Sequence, residues 1–170
     1  MGRLKAVLFD LGDTLIKEIE GPADINTTDF EVLDGVYDVL GYLDGKYKLA
    51  IVSNTLTWDD AAVAQALRRK DLLKYFDAIV TSVGANSRKP DYEIFRNALS
   101  RLDVLPHEAV MVGDRVDTDI VGANLAGITS ILCRWNTRYP ADFSDENSLP
   151  DYVIGSIREL PALLDWLDED

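Results

Sequence analysis

Ala6-Val7-Leu8-Phe9-Asp10 is an unbroken apolar run that stops on a carboxylate. Such a run is too short for a stable helix, and without alternating polar side chains it suits a strand covered on both faces. The pattern recurs at Leu49-Ala50-Ile51-Val52, Ala78-Ile79-Val80, Ala109-Val110-Met111-Val112, Thr129-Ser130-Ile131-Leu132 and Tyr152-Val153-Ile154. Helical patterns lie between these runs. Val32, Leu33, Val36, Val39, Leu40 and Leu43 repeat at helical spacing from Glu31 to Leu43, and Ile94, Phe95, Ala98, Leu99 and Leu102 from Asp91 to Leu102. A further helix is expected around Ala61 to Leu67, and a short one from Asp119 to Ala126 closed by Gly127. The last follows Ser156, whose spacing to Glu159 is that of a capping box, or has Pro161 in its first turn. Strands alternating with helices predict an α/β fold: a doubly wound, mainly parallel, Rossmann-like sheet with helices on both faces. Glu18 to Asp29 and Trp135 to Pro150 read as loops. No repeat or linker divides the chain, so residues 1–170 are expected to form one domain.

Composition narrows the partners. With 170 residues, 47% hydrophobic and 28% charged, the chain can bury a full core and is not disordered in character. A net charge of −13 repels nucleic-acid backbones and anionic membranes, so neither is expected as a partner. The one cysteine, Cys133, excludes an internal disulfide and a cysteine-based metal cage. The amino terminus enters a strand too soon for a signal peptide, and no apolar run nears the ~20 residues of a membrane span. A cytoplasmic location is expected.

In open α/β sheets, reactive groups gather at the carboxyl ends of the strands. The first run ends in Asp10, the second in Ser53-Asn54 and the fourth in Gly113-Asp114, while Lys89 lies in the loop after the third. One strand-terminal Asp is ordinarily a turn residue. Four such groups converging on one edge are hard to obtain by accident. A carboxylate attacks phosphorus only when the phosphate charge is neutralised, which a hard, oxygen-liganded cation such as Mg2+ does. A hydroxyl and an ammonium then hold the remaining phosphoryl oxygens. Asp10, Asp114, Asp119, Ser53 and Lys89 are of the types required.

These residues fall in four stretches that resemble a known family. Val7-Leu8-Phe9-Asp10-Leu11-Gly12-Asp13-Thr14-Leu15 resembles the first motif of the haloacid dehalogenase-like superfamily, and Ile51-Val52-Ser53-Asn54-Thr55 the second. Ser87 through Phe95, centred on Lys89 before Pro90, is similar to the third, and Val112 through Asn124, with Gly113-Asp114 and Asp119, to the fourth. All four occur in family order. The resemblance implies a Mg2+-dependent phosphatase working through an aspartyl-phosphate, with little or no cap domain. It assigns Asp10 as nucleophile and metal ligand, Ser53 as phosphate ligand with backbone or side-chain help from Asn54, and Lys89 as the cation that holds phosphate and neutralises Asp10. Asp114 would bind the metal, Asp119 would bind or orient it, and the Gly12 carbonyl would complete the protein ligands.

The match fails at Gly12. Phosphatases of the family usually carry an acid there, which protonates the leaving alkoxide and later activates water. Losing a general acid–base costs ~10²–10⁴-fold in rate, so a slow enzyme is one expectation. The neighbouring Asp13 as a substitute is another, and Asp13 as a turn residue is the simpler reading. Two alternatives stay open: a non-catalytic relative that binds phosphate or a protein, and a dehalogenase or phosphonate hydrolase. The short interval from Asp10 to Ser53 has no room for a cap enclosing a small halide, which favours phosphate chemistry. An open site suits a large phosphorylated substrate, or a second copy of the chain as a lid in a homo-oligomer. Trp135, Arg138 and Tyr139 are candidates for the rim. His107, Trp58, Asp59, Asp60 and Asp117 are read as surface or helix-start residues.

Overall fold

The computed structural model describes residues 3–169. In chain order its elements are β1 (Ala6–Phe9), α1 (Val36–Leu43), β2 (Lys48–Ser53), α2 (Asp60–Arg69), β3 (Ala78–Thr81) and α3 (Ser82–Ala85). Then follow α4 (Tyr92–Leu102), β4 (Ala109–Gly113), α5 (Val121–Ala126), β5 (Thr129–Cys133), β6 (Tyr152–Ile154) and α6 (Leu160–Glu169). The strands form one sheet in the order β3-β2-β1-β4-β5-β6, every pair parallel. The winding reverses between β1 and β4, and a crevice opens beyond the carboxyl ends of strands at such a point.

Alternate residues along each strand serve two different cores, which explains the lack of polar alternation. Val7 and Phe9 of β1 join Leu49, Ile51, Val110 and Val112 in a core covered by α1, α2 and α6. Ala6 and Leu8 point into the other, with Val52, Val80 and Met111, where Ile94, Phe95 and Leu99 of α4 and Ala123 of α5 cover them. Phe9 and Phe95 are fully buried; truncating either to Ala would cost about 3–5 kcal/mol.

The helix expected from Glu31 begins instead at Val36. Gly35 has φ of 86°, a left-handed conformation that breaks the helix before it, and Val32 pairs with Ile16 in an antiparallel bridge. Residues after Asp10 therefore fold back on themselves: the Asp13 N–H donates to the Ile16 carbonyl at 2.7 Å, and Leu33 N–H to the Leu15 carbonyl at 3.0 Å. Between β1 and β2 this arm and the eight-residue α1 are the only insertion, with no substantial cap domain. Gly127 caps α5 in a left-handed conformation as expected. The Ser156 box is shifted: Glu159 accepts from the N–H of Gly155 rather than Ser156. Among the described residues, no helix is long and apolar enough to cross a membrane.

Candidate active site

Asp10 extends β1 by one rung, its N–H donating to the Val112 carbonyl at 2.9 Å, so its carboxylate emerges at the sheet edge beside β4. Asp114 follows β4 directly. Asp119 returns to the same point from a wide helical turn, Val116–Ile120, of the kind that recurs at functional sites. Gly113 makes the return possible: a Cβ there would lie 2.2 Å from Asp119 Oδ2. Carboxylate oxygens of Asp10, Asp114 and Asp119 lie within 4.8 Å of one another.

Lys89 reaches the cluster from the segment before α4. Its Nζ donates to Asp10 Oδ1 at 2.9 Å, Asp119 Oδ1 at 2.6 Å and the Val52 carbonyl at 2.7 Å. Burial opposes the ammonium, yet Asp10 and Asp119 outweigh it and hold its pKa above the ordinary lysine value. Burial first, then the Asp10 carboxylate, pushes Asp114 and Asp119 above the usual carboxylate range, with Lys89 pulling Asp119 back. One cation thus faces three carboxylates. Both oxygens of Asp114 are buried without a donor, whereas Asp119 Oδ2 accepts from the Arg115 N–H at 3.1 Å. A set of carboxylate oxygens with excess negative charge and an unpartnered member fits a hard divalent cation.

A cleft of about 340 Å³ opens over this cluster, lined among others by Asp10, Gly12, Ser53, Asn54 and Lys89. Ser53 ends β2 and is buried at the cleft wall. A larger cavity of about 790 Å³ lies along the arm between Lys17 and Val32, but includes none of the three acids. The smaller cleft is the one that reaches Asp10 and Lys89.

Two of the expected contacts are corrected. Both ends of the Asn54 side chain are taken by the Lys89 backbone, Nδ2 donating to its carbonyl at 3.0 Å and Oδ1 accepting from its N–H at 2.8 Å. Asn54 therefore positions Lys89, and only its backbone N–H is left for a ligand. Asp13 does not join the acids. It is fully buried with φ of 56°, and its carboxylate accepts from Arg138 Nε at 2.5 Å, Asn136 Nδ2 at 3.2 Å and the Glu18 N–H at 3.0 Å. A carboxylate so committed is a clamp for the arm and the 135–139 loop, and is absent from the cleft lining. Trp135 serves the same clamp, its Nε1 donating to the Asp13 carbonyl at 2.6 Å.

Of the other residues considered, Trp58 and Tyr139 do line the cleft. Asp59 caps α2 by accepting from the Ala62 N–H at 2.8 Å, and Asp60 accepts from Thr81. Asp117 pairs with Arg115 instead of capping a helix. Reading the sequence missed Arg88, Arg115 and Glu18 on the cleft wall. Each arginine adjoins an assigned residue, which was a usable signal; Glu18, in an irregular stretch, had none. Burial, then Asp10 and Asp13, raises the pKa of Glu18 above the usual value.

With this geometry in view, likeness to known proteins is specific. A family model for haloacid dehalogenase-like hydrolases matches residues 14–133. A glyceraldehyde 3-phosphate phosphatase of Methanothermobacter thermautotrophicus is 34% identical over 122 residues, 69% of this chain and 51% of that protein. An N-acylneuraminate-9-phosphatase of Rattus norvegicus is 37% identical over 94 residues, covering 55% of this chain and 37% of that protein. The chain thus spans about half the length, or less, of these curated relatives. Among solved structures, a phosphatase from Thermococcus onnurineus superimposes with a TM-score of 0.68 at 32% identity, over 79% of this chain and 59% of that one. A protein from Listeria monocytogenes superimposes with a TM-score of 0.81 at 28% identity, over 98% of this chain and 100% of that one. The chain belongs to the haloacid dehalogenase-like hydrolase family.

Proposed function

We propose that the chain hydrolyses phosphate monoesters in a Mg2+-dependent reaction in which Asp10 is the nucleophile. The observation that carries this reading is the convergence of Asp10, Asp114 and Asp119 within 4.8 Å around a buried lysine. Asp10, Asp114 and the Gly12 carbonyl would hold the cation, with Asp119 binding or orienting it. When bound, the cation supplies Lewis-acid neutralisation of the phosphoryl oxygens.

The chain's own groups do the rest. Lys89 fixes one oxygen of Asp10 by donating to it at 2.9 Å, so the other is presented to phosphorus. Ser53, with the Asn54 N–H beside it, donates to a phosphoryl oxygen, and Arg88 and Arg115 add positive potential at the cleft mouth. Attack forms the bond from Asp10 oxygen to phosphorus and breaks the ester bond. Water then releases phosphate and restores the carboxylate. A cleft of about 340 Å³ is at the small end of ligand sites and accommodates the phosphoryl end of an ester. Phosphatase relatives support phosphorylated substrates as a class.

The test is turnover of p-nitrophenyl phosphate with and without Mg2+, beside an Asp10→Asn control. Metal-dependent release of p-nitrophenolate that vanishes in the control is the expected result. No release from the native chain at millimolar Mg2+ would leave a phosphate-binding relative without catalysis.

A further inference from the structure

We infer that Glu18 is the general acid and base of this site, filling the place left empty by the glycine at position 12. The inference rests on the phosphatase reading above and adds the proton-transfer group that reading lacks. A side chain at position 12 would start from a Cβ only 2.2 Å from Glu18 Oε2 and 3.0 Å from its carboxyl carbon. The Glu18 carboxylate thus occupies the volume that an acid on residue 12 would take, two residues from the nucleophile. It lines the same cleft as Asp10 and Ser53 and is half-buried.

The placement is built by the backbone. Residues 11–16 fold back so that Leu15 and Ile16 donate to the Leu11 carbonyl at 2.9 and 3.2 Å, and Gly12 pairs with Ile16. That hairpin brings the chain past Gly12 a second time. Asp13 then fixes the N–H of Glu18 at 3.0 Å, while Arg138 and Asn136 hold Asp13. Asp13, the tempting substitute in sequence, is a positioning residue for the real one. Among the described residues no hydrogen bond or ion pair engages the Glu18 carboxylate, in contrast to Asp13, Asp119 and Asp10. A second carboxylate, Glu20, is exposed and pairs with Arg138.

In the first step Asp10 attacks phosphorus, the ester P–O bond breaks, and the Glu18 carboxyl gives its proton to the departing alkoxide, yielding the alcohol and a Glu18 carboxylate. In the second, that carboxylate takes a proton from the water that attacks phosphorus. The bond to Asp10 breaks, hydrogen phosphate leaves, and Glu18 is again protonated. Both steps balance without an outside acid.

The test compares Glu18→Gln with the native chain, both with Mg2+, on p-nitrophenyl phosphate and on glycerol phosphate. p-Nitrophenolate leaves without a proton, whereas an alkoxide does not. Expected for Glu18→Gln is a burst of about one p-nitrophenolate per chain followed by turnover slowed ~10²–10⁴-fold, because only the second step needs the base. On glycerol phosphate the same variant should show no burst and a similar loss. Its melting temperature and its Mg2+ affinity by calorimetry should match the native chain. Unchanged turnover of glycerol phosphate overturns the assignment. So does loss of the burst, or a tenfold weaker Mg2+ affinity, which would make Glu18 a metal ligand or a positioning group. As a second variant, Gly12→Asp combined with Glu18→Ala should regain at least tenfold over Glu18→Ala alone on glycerol phosphate; no gain contradicts the shared volume. If the native chain itself releases no p-nitrophenolate, the phosphatase reading fails and takes this one with it. If the native chain is active and Glu18→Gln behaves identically, only the role of Glu18 falls.

Discussion

Replacing Lys89 by Met removes the cation that pairs with Asp10 and Asp119 inside a cluster of three acids while keeping an unbranched apolar stem in its slot. Lys89 is 3% exposed and donates to Asp10, Asp119 and the Val52 carbonyl. The substitution removes the Lys89 donor from Asp10 Oδ1, Asp119 Oδ1 and the Val52 carbonyl in a buried site. Breaking a buried pair by removing one partner costs about 3–5 kcal/mol. At about 2–4 °C per kcal/mol for a chain of this size, melting should fall by about 6–20 °C in EDTA at pH 8. The loss should shrink as pH falls. Asp114 and Asp119 have folded pKa values raised above their unfolded ones, so the native state binds protons more readily. Stability linked to them is fully present below about pH 4 and drains away as pH rises through their folded values. Without Lys89 that window becomes steeper, because the acids must neutralise themselves. If Mg2+ is bound by the native state alone, as proposed, it should recover about 2.7 kcal/mol at a hundredfold excess over its dissociation constant. Differential scanning fluorimetry between pH 5 and pH 8, with EDTA or Mg2+, reads all of this. A melting temperature within 2 °C of native in EDTA at pH 8 would refute the electrostatic account of the cluster.

The unpartnered oxygens of Asp114 suggest the opposite sign for Asp114→Asn. It should raise the metal-free melting temperature at pH 8 and abolish the rise that Mg2+ produces, both readable in the same fluorimetric melts. Gly113→Ala should lose about 1–3 kcal/mol, because its Cβ meets Asp119, and a urea titration would measure it. The Cys133 thiol is buried at the end of β5, its pKa pushed up to about 12 by burial and then by Asp114. It should resist Ellman's reagent at pH 8 in the native chain and react fully in denaturant.

Much of this site was legible because its groups sit at strand ends. Asp10, Ser53 and Asp114 follow apolar runs, and a parallel sheet places such positions on one edge whatever the connecting helices do. The two cores were legible for the same reason, since runs such as Ala6–Phe9 have no polar side to turn outward. What was hidden depends on chain reversal. Glu18 reaches Gly12 only because the 11–16 hairpin doubles back, a path set by backbone hydrogen bonds and not by any periodicity. Asp13 is the turn residue that was the simpler reading, but its clamp was hidden because its partners, Asn136 and Arg138, come from the far end of the sequence. Of the two roles open to Asn54, backbone or side-chain help, only the backbone one is left, because its amide is used up in holding the Lys89 backbone. The early start assigned to α1 came from Val32 and Leu33, whose helical spacing was coincidental to an extended pairing with the arm.

Asp10 at the end of β1 and Asp114 after β4 should hold one hard cation together with the Gly12 carbonyl, with Asp119 from the 116–120 turn binding or orienting it. Crystals grown with Mn2+ in place of Mg2+ test it through anomalous scattering. The account predicts one strong peak about 2.1–2.3 Å from Asp10, Asp114 and the Gly12 carbonyl. A peak that lies elsewhere, or a cleft with no peak at millimolar Mn2+, would contradict it.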